Sequence, residues 1–191
     1  MNILLVVATK QEVIEDKFKT VEVLVTGVGM INTALSLTKR LSEKSYDLVI
    51  NIGVAGAFNT LNLGDVVEVT EDIFSEIGFE NGISFSAFTD FDLKKIYKVE
   101  GKTNLQQAKG ITVNTVHGNE ESIAEIIKRL NPDVESMEGA AVFKVCQEFS
   151  IPCVQVRAIS NKVEKRNKAN WDLPLAIKNL NTTVQQIIAE L

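Results

Sequence analysis

Ile3-Leu4-Leu5-Val6-Val7-Ala8-Thr9 is an apolar, β-rich run without polar alternation, and similar runs follow at Val21 to Thr26, Leu48 to Ile52 and Cys153 to Ile159. A strand with one wet face alternates apolar and polar residues, whereas a strand covered on both faces reads apolar throughout. The four runs therefore predict an α/β sheet sandwiched between helices. The intervening sequence supplies those helices. Ile31, Ala34, Leu35, Thr38 and Leu41 recur at helical spacing with Lys39 and Arg40 turned outward. Ala141, Val142, Val145, Cys146 and Phe149 form the apolar face of a second helix, opposite Lys144, Gln147 and Glu148, and Pro152 closes it. A third runs through Ile177, Leu180, Val184, Ile187 and Leu191, with Asp172 as N-cap and Pro174 in the first turn. From Asp72 to Gln107, Phe74, Phe79, Phe85, Phe88 and Phe91 lie scattered among glycines and acidic residues, which reads as irregular or short-stranded.

Composition narrows the function. The 191 residues are 45% hydrophobic and 24% charged, the balance of a packed domain, and no repeat or linker divides them. A single domain over residues 1–191 is expected. The formal charge of −5 is spread along the chain, so no basic patch is available to nucleic acid. No apolar run approaches the roughly 20 residues that span a bilayer, and the first run lacks the charged leader and cleavage site of a signal peptide. The expectation is a cytoplasmic protein without membrane or nucleic-acid partners. Cys146 and Cys153 sit in apolar surroundings and read as buried filler rather than a disulfide or a nucleophile paired with His117.

Three glycine-bearing segments follow apolar runs and read as turns: Gly27-Val28-Gly29, Gly53-Val54-Ala55-Gly56 and Val116-His117-Gly118. Strand ends are where α/β sheets bind ligands, although such turns also merely close strand–helix junctions. The G-x-G-x-x-G dinucleotide spacing is missing. Two carboxylates stand beside these segments. Glu12 lies just past the first strand, and Glu138 opens a helix after Glu135-Ser136-Met137. An acidic residue at a helix start is by itself only a partner for the helix dipole.

The order of the pieces says more. A Gln11-Glu12-Val13 turn and Gly27-Val28-Gly29 are followed by Asn51-Ile52-Gly53-Val54-Ala55-Gly56, then Gly64-Asp65-Val66-Val67. Met137-Glu138-Gly139-Ala140-Ala141 and Val156-Arg157-Ala158-Ile159-Ser160-Asn161 complete it. This series resembles the purine nucleoside phosphorylase and nucleosidase superfamily, especially its methylthioadenosine/adenosylhomocysteine nucleosidase branch. The tract from Arg157 through Val163-Glu164, Arg166-Asn167 and Asn170-Trp171 to Leu180 looks like the corresponding segment of futalosine hydrolases, which remove hypoxanthine from futalosine on a bacterial route to menaquinone.

The resemblance implies a three-layer α/β/α sandwich with a central mixed sheet, a purine nucleoside as the small-molecule substrate, no cofactor or metal, and assembly as a homodimer or higher homo-oligomer. It implies that Glu12 positions and deprotonates the attacking water. Glu138 would accept hydrogen bonds from the ribose hydroxyls while Met137 packs on the sugar, and Val54, Ala55 and Gly56 would lie near the sugar and the base edge. It places Ser136, Val116, His117 and Arg166 at the substrate as well, with His117 equally readable as a structural hydrogen-bonder and Trp171 as packing or as wall of the tail pocket. Asn161 stands where adenine-specific relatives carry Asp. An amide donates toward N7 and O6 of a 6-oxopurine, which fits hypoxanthine, but it has no proton to give up outright. Phosphate as nucleophile would need Arg donors. Arg40 and Arg129 read as outward on helices and Arg157 as inside a strand, so water is favoured.

Overall fold

All five residues of β1, Ile3–Val7, are buried, and alternate side chains enter different cores. Ile3, Leu5 and Val7 join Ile50 and Ile52 of β3 (Leu48–Ala57), Val154 and Val156 of β10 (Cys153–Lys162), and Ala176, Leu180 and Val184 of α4 (Leu173–Glu190). Leu4 and Val6 point the other way, onto Leu37 and Leu41 of α1 (Met30–Glu43) and Ala140, Phe143 and Val145 of α3 (Gly139–Glu148). The two-residue period of a strand thus feeds a core on each face, and each fully buried aliphatic side chain contributes roughly 1.5–3 kcal/mol. The structure, a computed structural model, describes residues 1–191 except Asn59, Ile83, Asp90 and Asp92, and only the backbone of Ser84.

The remaining elements are β2 (Glu22–Val25), β4 (Val66–Phe74), β5 (Gly78–Asn81), β6 (Ser84–Ala87), β7 (Ile96–Lys98), β8 (Gln106–Thr112), α2 (Glu120–Leu130) and β9 (Val134–Ser136). The central sheet is mixed, as expected. β3 runs parallel to β1 and β10, β4 antiparallel to β10 and parallel to β8, and β9 parallel to β8 and antiparallel to β3. These pairings close a circuit from β3 through β10, β4, β8 and β9 back to β3. β1 and β2 extend it on one side and β7 on the other. β5 and β6 form a separate hairpin.

Three readings of the sequence are corrected and a fourth is sharpened. Gly53-Val54-Ala55-Gly56 is not a turn but the interior of β3, because β10 pairs along that whole stretch and β9 takes its far end. The segment is small and smooth because other side chains crowd its face. Asn161 likewise lies within β10, at a register shift after Ile159, and not beyond its end. On α1 the buried positions are Thr33, Leu37 and Leu41, whereas Ile31 and Leu35 are 76% and 70% exposed. The Thr33 hydroxyl, 3.2 Å from that of Thr26, selects this face over the more apolar one. Finally, the segment read as irregular or short-stranded holds the last three residues of β4, the short strands β5, β6 and β7 and the start of β8, so short strands are present, and β4, β7 and β8 belong to the main sheet.

β4 does not read as a buried strand because acidic residues stand in its interior. Asp72 and Glu68 on β4, Thr112 on β8, Gln155 and Arg157 on β10 and Asn51 on β3 are all buried. Gln155 Nε2 donates to Asp72 Oδ2 at 2.8 Å, and the Thr112 hydroxyl donates to Oδ1 at 2.9 Å. Arg157 Nη2 donates to Asn51 and to Gln155 Oε1 at 3.1 Å. Burial pushes the Asp72 carboxyl up to about 6, against the opposing bonds from Gln155 and Thr112 and the charge of Arg157.

Candidate active site

A cavity of about 320 Å³ opens where the ends of β1, β3, β9 and β10 meet the start of α3. Glu12, Val54, Ala55, Gly56, Val116, His117, Ser136, Met137, Glu138, Asn161 and Arg166 all line it, so residues read from separate motifs come together at one place.

Glu12 ends the 3-10 turn Lys10–Glu12 that follows β1. Its Oε2 accepts from the Thr9 N–H at 3.0 Å and the Thr9 hydroxyl at 2.9 Å, and its Oε1 accepts from the Val54 N–H at 3.2 Å. The turn is tied down from behind. Asn181 of α4, fully buried, donates to the Glu12 carbonyl at 2.9 Å and accepts from the Ile14 N–H at 2.7 Å. A methyl group on Gly53 would lie 2.6 Å from Arg157 Nη1 and 3.1 Å from Glu12 Oε1. Glycine there allows a buried guanidinium and the Glu12 carboxylate to converge on the same patch of backbone, a relation the linear sequence conceals.

Glu138 is the N-cap residue of α3. Its Oε1 accepts from the Gly29 N–H at 2.9 Å and its Oε2 from the Met137 N–H at 3.3 Å. Gly29 has φ +93°, a conformation that side chains disfavour, and this aims its N–H across at α3. The first α3 turn is fixed by the polar interior, since the Ala140 N–H donates at 2.8 Å to the Thr112 hydroxyl that itself donates to Asp72. Asn161 is held through both ends of its amide: Ser160 Oγ donates to Oδ1 at 2.9 Å, and Nδ2 donates to the Lys162 carbonyl at 2.9 Å.

Residues that the motifs did not single out also line the cavity, chief among them Glu135. Its carboxylate accepts from the His117 N–H at 3.1 Å and lies 2.6 Å from His117 Nδ1. β9 carries one apolar residue in three, so nothing in the linear sequence sets Glu135 apart. Trp171 lines the wall rather than serving only as packing beside α4, with the Arg166 guanidinium 5.1 Å from its ring centre. Arg129 is not simply outward, because it donates to the Ser75 carbonyl at 2.9 Å and covers the Phe85 ring.

The sequence pattern of the Phosphorylase superfamily matches residues 8–191. The chain belongs to that superfamily. It is 26% identical over 181 residues to a futalosine hydrolase of Thermus thermophilus, covering 87% of this chain and 80% of that protein. It is 32% identical over 190 residues to a 5′-methylthioadenosine/S-adenosylhomocysteine nucleosidase of Lysinibacillus sphaericus, covering 91% and 83%. In fold it is similar to the nucleosidase of that name from Neisseria meningitidis, solved with methylthio-immucillin-A, at a TM-score of 0.84 over 100% of this chain and 99% of that one, with 21% identity.

Proposed function

We propose that this superfamily member is a nucleosidase that hydrolyses the N-glycosidic bond of futalosine and releases hypoxanthine. The observation that carries the reading is the pair of cavity carboxylates, Glu12 and Glu138, each oriented by backbone N–H donors. An N-glycosidic bond breaks through a sugar with oxocarbenium character, which carboxylates stabilise electrostatically. Glu12 takes the proton of the attacking water, and Glu138 grips the ribose hydroxyls. Both relatives named above are hydrolases of the same bond type.

Asn161 favours hypoxanthine. With Oδ1 held by Ser160 and one Nδ2 proton held by Lys162, the second Nδ2 proton is left for an acceptor on the base, and O6 or N7 of a 6-oxopurine provides one. The favoured nucleophile is water. Arg40 is paired with Glu22, Arg129 with Glu125, Arg157 with Asn51 and Gln155, and Arg166 stacks on Trp171. Arg166 alone lines the cavity, and one guanidinium stacked on a ring is not the several-donor clamp that phosphate needs. The same reading includes a cytoplasmic homodimer, with the exposed Ile31 and Leu35 of α1 in the subunit contact.

The identity to methylthioadenosine/adenosylhomocysteine nucleosidases supports a second reading, in which adenine is the leaving base. Futalosine, methylthioadenosine and inosine should be assayed side by side, with and without phosphate, following the free base and the sugar. The expected result is fastest release of hypoxanthine from futalosine, independent of phosphate. Faster release of adenine from methylthioadenosine would establish the second reading, and a sugar 1-phosphate would make the enzyme a phosphorylase.

A further inference from the structure

Departure of a purine anion is difficult, and an amide such as Asn161 cannot hand over a proton. The cavity wall beside it holds a group that can. His117 lies in the loop between β8 and α2, and Glu135 beneath it binds the ring through Nδ1 at 2.6 Å and the loop through the His117 N–H at 3.1 Å. Phe58 meets the ring edge-on at 6.2 Å. Nδ1 is therefore committed, and among the described residues Nε2 has no protein partner while the ring lines the cavity. The pair is also close to the base-recognition residue, since a methyl group on Gly56 would lie 3.1 Å from Asn161 Nδ2 and 3.6 Å from Glu135 Cγ.

The geometry points to His117 as the general acid of the reaction, with Glu135 as its positioning residue. This inference rests on the nucleosidase reading above. Glu135 fixes the ring orientation and supplies the negative charge that a doubly protonated imidazole needs beside it, as a carboxylate does for histidine in other proton-transfer sites. As the bond from C1′ to the base nitrogen breaks, its electron pair goes to the base, and the Nε2 proton passes to a ring nitrogen of that base. Water adds to C1′ and gives its proton to Glu12. Solvent then returns a proton to His117 and removes one from Glu12, so the net reaction consumes one water.

A nitrophenolate needs no proton in order to leave. The test compares futalosine and inosine with p-nitrophenyl β-D-ribofuranoside in the wild type, His117→Gln, His117→Ala and Glu135→Gln. Replacing His117 is expected to lower kcat on the purine nucleosides by roughly 10²- to 10³-fold, the usual worth of a general acid. The same variants should stay within about threefold of wild type on the nitrophenyl riboside. Added imidazole should restore purine release in His117→Ala, and Glu135→Gln should show a smaller loss confined to the purines with KM little changed. The ratio of the two activities within one sample does not depend on how much of it is folded. Equal loss on both substrate classes, or no loss on purines, would overturn the assignment of His117. A wild type that releases base from no nucleoside would instead overturn the nucleosidase reading.

Discussion

The two sides of the closed sheet are built from different chemistry. Around β1, β3 and β10 the interior against α4 is aliphatic, with Leu5, Ile50, Ile52, Val154, Val156 and Leu180 in one cluster. Around β4 and β8, between apolar clusters of Val67, Val69 and Ala108 and of Ile73 and Ile111, it holds a hydrogen-bonded set of Asp72, Thr112, Gln155 and Arg157, and Glu68 is buried beneath the N–H groups of Lys102 and Thr103. The cavity sits where the two meet, and each side delivers one carboxylate. Glu12 follows from apolar packing, which fixes the end of β1 and the course of β3 and so the Thr9 and Val54 donors, with Asn181 holding the turn from behind. Glu138 follows from the polar side, because Thr112 and Asp72 fix the turn of α3 that it caps. A nonpolar core places strand ends within broad limits, whereas a buried hydrogen-bond network admits one arrangement or leaves a partner unsatisfied.

The largest effect expected on the apolar side is chemical and not structural. Glu12→Gln keeps the side-chain shape and the acceptor that faces Thr9, and turns an amide N–H₂ toward the Val54 N–H. Losing that one bond costs about 1 kcal/mol. Turnover should fall by roughly 10²- to 10⁴-fold because the base is gone. Initial rates on futalosine together with the urea midpoint separate the two effects. Near-normal kcat would remove Glu12 from the chemistry.

The polar side is expected to respond to pH. The ordinary Asp value is 3.8, and burial holds Asp72 at about 6. Between pH 4 and 6, therefore, the unfolded chain has lost this proton while the folded chain still binds it. Stability from this group is full below that window, falls as pH rises through it, and is flat above. Two pH units correspond to about 2–3 kcal/mol. In Asp72→Asn that component is absent, so the change in unfolding free energy between pH 4.5 and pH 6.5, which covers most of the window, should differ from wild type by about 2 kcal/mol. Identical pH dependence in the two proteins would show that Asp72 does not carry the proton.

The same contrast explains what could be read from sequence. The β1, β3 and β10 side was legible because complete burial writes a continuous apolar run, and Glu12 and Asn161 sit on its edges, while Glu138 was legible from the helix it opens. β4 was not legible, because Glu68 and Asp72 look like solvent-facing acids until the strands that bury them are known. Gly53 to Gly56 looked like a turn because nothing local reveals that Arg157 and Glu12 occupy the space its side chains would take. The inward face of α1 was misread for a related reason. Thr33 outranks Ile31 through its partner Thr26, seven residues away and across a turn. Glu135 was passed over because its partner His117 lies on a different loop.

The smallest effect is expected deep in the apolar cluster, and it tests whether the pH response belongs to the polar side alone. Ile50 is fully buried on β3, among Leu5, Val156 and Leu180. Ile50→Val removes one methylene without introducing a polar atom, and both residues are β-branched, so the strand conformation is undisturbed. The cost is the lost transfer energy plus a small cavity, about 1 kcal/mol. No group in this cluster exchanges a proton, so the cost should be the same at pH 4.5 and pH 6.5, and kcat should be unchanged. Urea unfolding at the two pH values checks this. If the penalty shifts with pH by as much as in Asp72→Asn, the two cores are coupled through β10, which contributes Val156 to one and Arg157 to the other.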